Sequence, residues 1–307
     1  MRAGLEQQTA PVTSASLESG GSAAARLRLG AQLRQWRQAA GVSRQDAAAA
    51  IRSSVSKITR LELGRTGIKP RDLSDLLKMY GVDPAGQASV MALARTGNNR
   101  GWWQEYGDAV PAWQATHIGL EQSASLIRGY EPRFVPGLLQ TPEYARALLT
   151  STSGAPGGER TERQLAALLR RQQQILHRED PPRVWTVIEE GALRRPIGDR
   201  AVMRAQLGHL IDITRLGHVN IQVLPFRAGA HAARGGPVVL LRFPGDQLPD
   251  VVCLEYFTGA VYPSRPAELA CYWDLLNQLA TQADPPIAST LTLDTAVVDR
   301  YRGTSSA

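Results

Sequence analysis

Hydroxyl and cationic side chains recur at short intervals between residues 43 and 69, where they could donate hydrogen bonds to an anionic surface. Arg and Lys can donate to phosphate oxygens and to acceptors on base edges, and the methyl groups of Val and Thr can contact the thymine methyl. These side-chain types suit direct contact with double-stranded DNA. That chemistry requires one short element that presents several of them on a single face narrow enough for the major groove.

Two short helices joined by a turn would provide such a face. Ser43 can cap the first helix and Ser54 the second, because a serine hydroxyl accepts a hydrogen bond from a free N–H of the first turn. Gly64 stands where the second helix would end in a left-handed conformation. The pattern predicts a helix-turn-helix whose second helix exposes Lys57 and Arg60.

Apolar residues with a helical period continue on both sides of this motif. Leu29, Leu33 and Trp36 share one face of a preceding helix, and Pro70 opens a following helix that Gly81 closes. The other residues expected in the core are Ala47, Ile51, Ile58, Leu61, Leu73, Leu76, Leu77 and Tyr80. We expect an all-α unit over residues 26–96, preceded by a disordered segment at residues 1–25 that is poor in large apolar side chains.

The positive charge of the chain is concentrated in this helical unit. Residues 26–81 hold 12 Lys and Arg against 4 Asp and Glu, so their net charge of +8 exceeds the +7 of the whole chain. Such a concentration is typical of a DNA-binding domain. The alternative is a solvated basic face on an ordinary helical bundle.

Seven residues of this segment match a known pattern without a gap: Ser43, Ala48, Ile51, Ser54, Ile58, Glu62 and Gly64. They resemble the xenobiotic-response-element (XRE) helix-turn-helix family, which has the lambda-repressor-like fold. The resemblance implies that the second helix enters the major groove. The residues that match its base-reading face are Val55, Ser56, Lys57, Thr59 and Arg60. The residues assigned to phosphate contact are Ser43, Arg44, Ser54, Arg65 and Lys69.

Two residues depart from the pattern of this family. Arg44 replaces the usual glutamine, and we expect this longer cation to contact phosphate rather than to bridge to the second helix. Arg52 replaces the usual glycine at the turn between the helices. If the backbone there has a positive φ, arginine costs about 1 kcal/mol relative to glycine.

Beyond residue 100, short β-rich runs alternate with helical periodicity. Strands are expected over residues 184–188, 219–224, 238–243 and 251–257, and helices over 165–176, 203–211 and 269–276. This mixture indicates a sheet flanked by helices. The predicted fold is multidomain: an all-α lambda-repressor-like helix-turn-helix domain followed by a larger α+β domain at residues 100–300.

The second half also has a family resemblance. The segments at Arg100–Tyr106, Val135–Leu149, Glu189–Gly198 and Val223–His231 resemble parts of a domain of unknown function. That domain follows the helix-turn-helix in many actinobacterial antitoxin-like regulators. The resemblance implies a transcription regulator, often encoded beside a small protein that is thought to act as its partner.

Three hypotheses describe the second domain. In the first, it binds a small protein partner or self-associates, so that a homodimer occupies an inverted repeat of operator DNA. In the second, it senses a small molecule bound near Glu189, Arg194 and His231. In the third, it is a hydrolase, which is disfavoured because the sequence has no HExxH, G-x-S-x-G, P-loop or G-x-G-x-x-G motif. We therefore expect no enzyme activity, cofactor or metal.

The composition favours a cytoplasmic, nucleoid-associated protein. No run of 18 apolar residues is present, so we expect no membrane-spanning helix, and the N-terminus lacks the apolar core of a signal peptide. Cys253 and Cys271 are far apart and form no CxxC pair, which favours reduced thiols.

Overall fold

The computed structural model describes residues 22–99, 101–153, 158–245, 248–256, 258–263, 265–286 and 289. The chain divides into two compact units, with the boundary after Asn99. None of the described helices combines the length and the apolar character that crossing a membrane would require.

Five helices form the described part of the first unit: α1 (Ser22–Ala39), α2 (Arg44–Ala50), α3 (Val55–Glu62), α4 (Pro70–Met79) and α5 (Pro84–Asn98). Their apolar faces meet in one core, which contains every residue that the sequence pattern predicted, with Trp36 packed at its edge. The core also takes in Ile68, Val82, Val90 and Ala94. The prediction of an all-α first domain is confirmed.

The ends of this unit differ from the sequence-based boundaries. Residues 1–21 of the expected disordered segment lie outside the described residues, but Ser22 to Ala25 form the first turn of α1 and are buried. At the other end, α5 continues to Asn98. Its last turn is held by two hydrogen bonds, from Arg26 Nη1 to Gly97 O (2.9 Å) and from Asn98 Nδ2 to Ile68 O (2.8 Å).

The second unit combines helices with a six-stranded sheet. Its described helices are α6 (Ala112–Glu121), α7 (Pro142–Ser153), α8 (Glu159–Leu176), α9 (Glu190–Arg194), α10 (Arg200–Ile213) and α11 (Pro266–Gln282). Its strands are β1 (Leu126–Glu131), β2 (Arg183–Glu189), β3 (Val219–Leu224), β4 (Val238–Arg242), β5 (Val251–Tyr256) and β6 (Gly259–Val261). Short 3-10 helices occur at Trp102–Ala109, Gly137–Leu139 and Phe226–Ala228.

The sheet is mixed, with strand order β3-β2-β1-β4-β5-β6. β1, β2 and β3 run parallel, and β4, β5 and β6 pair antiparallel. Side chains of alternating residues cover the two faces. On one face, Tyr130, Val187 and Leu240 pack against α11 through Leu276 and Leu279. The predicted α+β class is confirmed.

The sequence pattern located four strands and missed β1 and β6. The first of these is the more important, because β1 lies in the middle of the sheet between β2 and β4. Its sequence, LIRGYE, contains a glycine and a glutamate, which are depleted in strands. Pairing on both sides compensates for this weak local preference, and only the folded chain supplies that pairing.

Candidate nucleic-acid interface and C-terminal pocket

The turn between α2 and α3 has the geometry that the sequence predicted. Ser43 Oγ accepts from the backbone N–H of Asp46 (3.1 Å), and Ser54 Oγ accepts from that of Lys57 (3.2 Å). Gly64 ends the motif with φ +63°, and a Cβ there would lie 2.7 Å from the backbone of Leu27. Gly64 is therefore required both by its conformation and by the close approach of α1.

Arg52 has φ +49°, the only positive φ at a non-glycine position in the part of the chain that the structure describes. The turn therefore needs the left-handed conformation that glycine adopts most easily. The backbone at Arg52 therefore has the positive φ for which arginine is less favourable than glycine. The Arg52 side chain is exposed to solvent.

One face of α3 presents side chains to solvent. Val55 is 41% exposed although it is apolar, and Ser56 and Arg60 are also exposed. Thr59 is half-buried, and its hydroxyl donates to the carbonyl oxygen of Val55 (3.1 Å). Lys57 differs from the other base-reading candidates, because its Nζ lies 2.7 Å from Asp72 Oδ2 on α4. The ammonium group must exchange this partner before it can reach a base.

The residues assigned to phosphate contact fall into three groups: helix caps, exposed cations and an ion-paired arginine. The hydroxyls of Ser43 and Ser54 serve as helix caps. Arg65 and Lys69 follow α3 and are exposed. Arg44 Nε donates to Glu62 Oε2 (3.0 Å), which is the bridge to the second helix that we expected this residue not to make. That expectation was wrong, because Glu62 offers a buried carboxylate within reach of the guanidinium group.

Glu62 joins three helices, a role that the sequence pattern did not reveal. Besides the hydrogen bond from Arg44 of α2, its carboxylate accepts one from Arg37 Nε of α1 (2.5 Å). The side chains of Arg37 and Glu62 are both largely buried. Arg37 Nη1 also donates to the carbonyl oxygen of Val42 (2.8 Å). This network sets the position of α3, and thus of its exposed face, relative to α1 and α2.

The second unit contains a pocket of about 440 Å³ on the sheet face opposite α11. Its lining includes residues of β1, β2, β4, β5, α6 and α8, and most of it is apolar. Gly129 lies in its floor, where the absence of a side chain opens space next to Thr186. The charged residues of the lining are His117, Glu121, Glu131, Arg171 and Glu255.

Three of these charged residues form a buried cluster. Arg171 donates to both oxygens of Glu121, at 2.6 and 2.7 Å, and His117 Nε2 lies 3.1 Å from Glu121 Oε1. Burial alone would lower the pKa of His117, but the Glu121 carboxylate and the adjacent Cys253 raise it. Burial alone would raise the pKa of Glu121, but Arg171 and His117 lower it to about 2. The cluster is therefore a charged network.

Comparisons with known families match both units. A family model described as a helix-turn-helix domain matches residues 28–90, from α1 into α5. A second model, described as a domain of unknown function (DUF5753), matches residues 114–295, more than half of the chain. The chain belongs to the DUF5753 family. Its helix-turn-helix domain marks it as a DNA-binding regulator. No curated protein and no solved structure matches the chain.

The ligand residues expected in the DUF5753 domain lie outside its pocket. Glu189 ends β2, where its carboxylate accepts from the Tyr130 hydroxyl and lies 3.2 Å from His231 Nε2. Arg194 pairs with Glu190 (2.6 Å) within α9. The structure thus brings Glu189 and His231 together, but none of the three expected residues lines the pocket.

The pocket of the DUF5753 domain depends on residues that the sequence analysis did not single out. His117 and Glu121 are four residues apart on α6, a spacing that places them on one helical face and could have drawn attention to them. Their partner Arg171 comes from α8, and no local signal connects it to them. Within the described residues, no group of three or more His, Cys, Asp and Glu is arranged to hold a metal ion.

Proposed function

We propose that this DUF5753 protein is a sequence-specific transcription regulator of the XRE, antitoxin-like type. Helix α3 enters the major groove, and Val55, Ser56 and Arg60 read base edges from its exposed face. The observation that carries the proposal is this face, which belongs to the most basic part of the chain. Because the target is genomic DNA, the proposed location is cytoplasmic and nucleoid-associated.

The contacts of Lys57 and Arg44 refine the roles of the cations. Lys57 is held by Asp72, and Arg44 is held by Glu62, so each would have to share or exchange a carboxylate in order to bind DNA. Arg60 therefore becomes the main cationic base reader. Lys69, which is exposed beyond α3, becomes the main phosphate contact, and Arg65 keeps its assignment to phosphate contact.

The proposal includes a homodimer on an inverted repeat. A single helix-turn-helix reads few base pairs, and regulators of this kind place two copies about 34–36 Å apart on one side of the duplex. In this scheme the DUF5753 domain self-associates or binds a small protein partner, and either event changes operator occupancy. Light scattering of the DNA complex tests the scheme, and a single protomer on a non-repeated site contradicts it.

The decisive experiment separates base reading from phosphate contact. Arg60→Ala should weaken operator binding by about 1–3 kcal/mol and relax the preference at one base position. Lys69→Ala should weaken binding to all sequences equally and reduce the slope of log affinity against log salt by about 0.9. Both variants are compared with wild type by salt titration and by selection from random DNA.

A fragment of residues 22–99 tests where the DNA affinity resides. This unit has its own core, and we expect salt-dependent DNA binding from it alone. If the fragment does not bind even at low salt while residues 100–307 do, the assignment of DNA recognition to α3 is wrong. An unchanged base preference in Arg60→Ala would remove Arg60 from the base-reading set.

A second candidate function, ligand sensing, has specific support in the DUF5753 domain. A largely apolar pocket of about 440 Å³ with a few charged groups falls within the usual range for small-molecule sites. Hydrolysis has weaker support. Cys253 lies beside His117, as a nucleophilic thiol lies beside its base in a hydrolase. Its side chain is fully buried, however, and does not line the pocket.

A further inference from the structure

The cationic side of the C-terminal pocket is already neutralised by protein groups. Arg171 directs both Nε and Nη2 at Glu121, so these donors are not available to a ligand. His117 shares the same carboxylate. An anionic ligand would have to compete with Glu121 for these groups and would meet the other carboxylates of the pocket.

The acidic side of the pocket is, by contrast, poorly compensated. Glu131 ends β1 and Glu255 lies on β5, two strands away, and both line the pocket. The ion-pair partner of Glu131 is Arg133, at 3.9 Å and half-exposed. The described part of the chain gives the Glu255 carboxylate no ion pair within 4 Å, and the charge of Glu255 acts on Arg171 from farther away. Burial and the charge of Glu255 raise the pKa of Glu131 to about 7, although the backbone N–H of Arg133 opposes the shift. A positive charge bound here would relieve both effects.

A buried histidine in the same lining has poorly directed hydrogen bonds, although Glu121 and Cys253 lie beside it. Neither Nδ1 nor Nε2 of His117 has a well-directed hydrogen-bond partner among the described residues, although its side chain is 1% exposed. The contact from Nε2 to Glu121 is close enough for an ion pair but is not aligned as a hydrogen bond. Buried polar groups without partners are costly, so a ligand oxygen that accepts from His117 would stabilise the site.

We propose that this pocket binds a small organic cation, with its apolar body over Gly129, its protonated amine between Glu131 and Glu255, and an oxygen acceptor near His117. A volume of about 440 Å³ accommodates a molecule with one or two rings. The inference deepens the ligand-sensing alternative and rests on it. Binding is measured without DNA, so failure here leaves the proposal about α3 untouched.

Matched probes test the chemical class. Tyramine and tryptamine carry an amine on an aromatic body, whereas 3-(4-hydroxyphenyl)propionate and indole-3-propionate carry a carboxylate in its place. With the full-length protein we expect at least one of the amines to bind with a Kd in the low millimolar range or below, and to raise the Tm by about 3–6 °C at a tenfold excess over Kd. Failure of both amines at 10 mM, or equal or stronger binding of the carboxylates, overturns the proposal.

Variants then test the assigned residues. Glu131→Gln should weaken binding of the amine by about 10- to 100-fold, because a charge-assisted hydrogen bond is lost. Glu179→Gln removes the same charge from an exposed site and should leave the Kd unchanged. Equal effects of the two variants would show that the amine does not contact Glu131.

Gly129 provides an independent test of location. A Cβ at this position would lie 3.5 Å from Thr186 Oγ1, which is an ordinary contact, so Gly129→Ala should fold and retain binding. Gly129→Val places a larger side chain in the floor of the pocket and should abolish binding, while valine is well tolerated in a central strand. An unchanged Kd in a folded Gly129→Val protein would place the probe elsewhere and refute the site.

Discussion

The Glu62 network allows a quantitative test of what positions α3. In Glu62→Ala, Arg37 keeps its charge at a site where its side chain is 9% exposed, and it loses its carboxylate partner. Removing one partner of a buried ion pair costs about 3–5 kcal/mol, because the remaining charge is uncompensated. A unit of this size has a total stability of about 4–12 kcal/mol, so we expect the variant to be marginally folded.

The assay is urea unfolding of residues 22–99, followed by the fluorescence of Trp36, the only tryptophan in that fragment. Arg44→Ala is the matched control, because Arg44 contacts the same carboxylate with a side chain that is 42% exposed, and it should cost at most about 1 kcal/mol. Replacing both buried partners, as Arg37→Met with Glu62→Leu, should recover most of the loss.

Two results would refute this reasoning. One is a cost below about 1 kcal/mol for Glu62→Ala, which would mean that water reaches the pair as it does at a surface. The other is a double variant no more stable than Glu62→Ala, which would mean that the carboxylate has a packing role unrelated to the charge of Arg37. The m-value must stay constant for either comparison to report stability.

Three further predictions follow from individual contacts. Arg52→Gly should stabilise the first unit by about 1 kcal/mol in urea unfolding, because φ +49° is strained for arginine. Gly30→Ala should destabilise it by about 1–3 kcal/mol, because its Cβ would lie 2.4 Å from the carbonyl oxygen of Leu61. The pKa of His117 is raised to about 10 by the Glu121 charge against the opposing effect of burial. Its contribution to stability is therefore complete below about pH 6.5 and is lost as the pH rises through about 10. The difference in urea midpoint between wild type and His117→Gln should accordingly shrink over that range.

Each of these predictions has a control in the chain. Arg34→Gly, at an exposed position in the middle of α1, should cost about 1 kcal/mol, opposite in sign to Arg52→Gly. Gly208→Ala in α10 has open space around the new Cβ and should stabilise rather than destabilise. Gln173→Ala, at an exposed position without a titratable group, should show no such pH dependence. If a variant and its control behave alike, the stated local cause is wrong.

The sequence by itself determined the features that rest on neighbouring residues. Caps at Ser43 and Ser54, the left-handed glycine at residue 64, the apolar faces of the first four helices and the concentration of positive charge all appear as expected. Each depends on interactions within a few residues or on the number of charged residues in a segment. For this reason the helix-turn-helix and the candidate base-reading face on α3 could be predicted without coordinates.

Tertiary structure alone decided which groups share a partner. The carboxylate of Glu62 meets Arg37 and Arg44, and Lys57 meets Asp72, although these pairs are 15 to 25 residues apart in the chain. In the second unit, the central position of β1 depends on pairing with β2 and β4, and the pocket over Gly129 exists only once α6 and α8 cover that face of the sheet. Ion pairs between distant residues and enclosed volume depend on how elements pack, and local propensity carries no information about that packing.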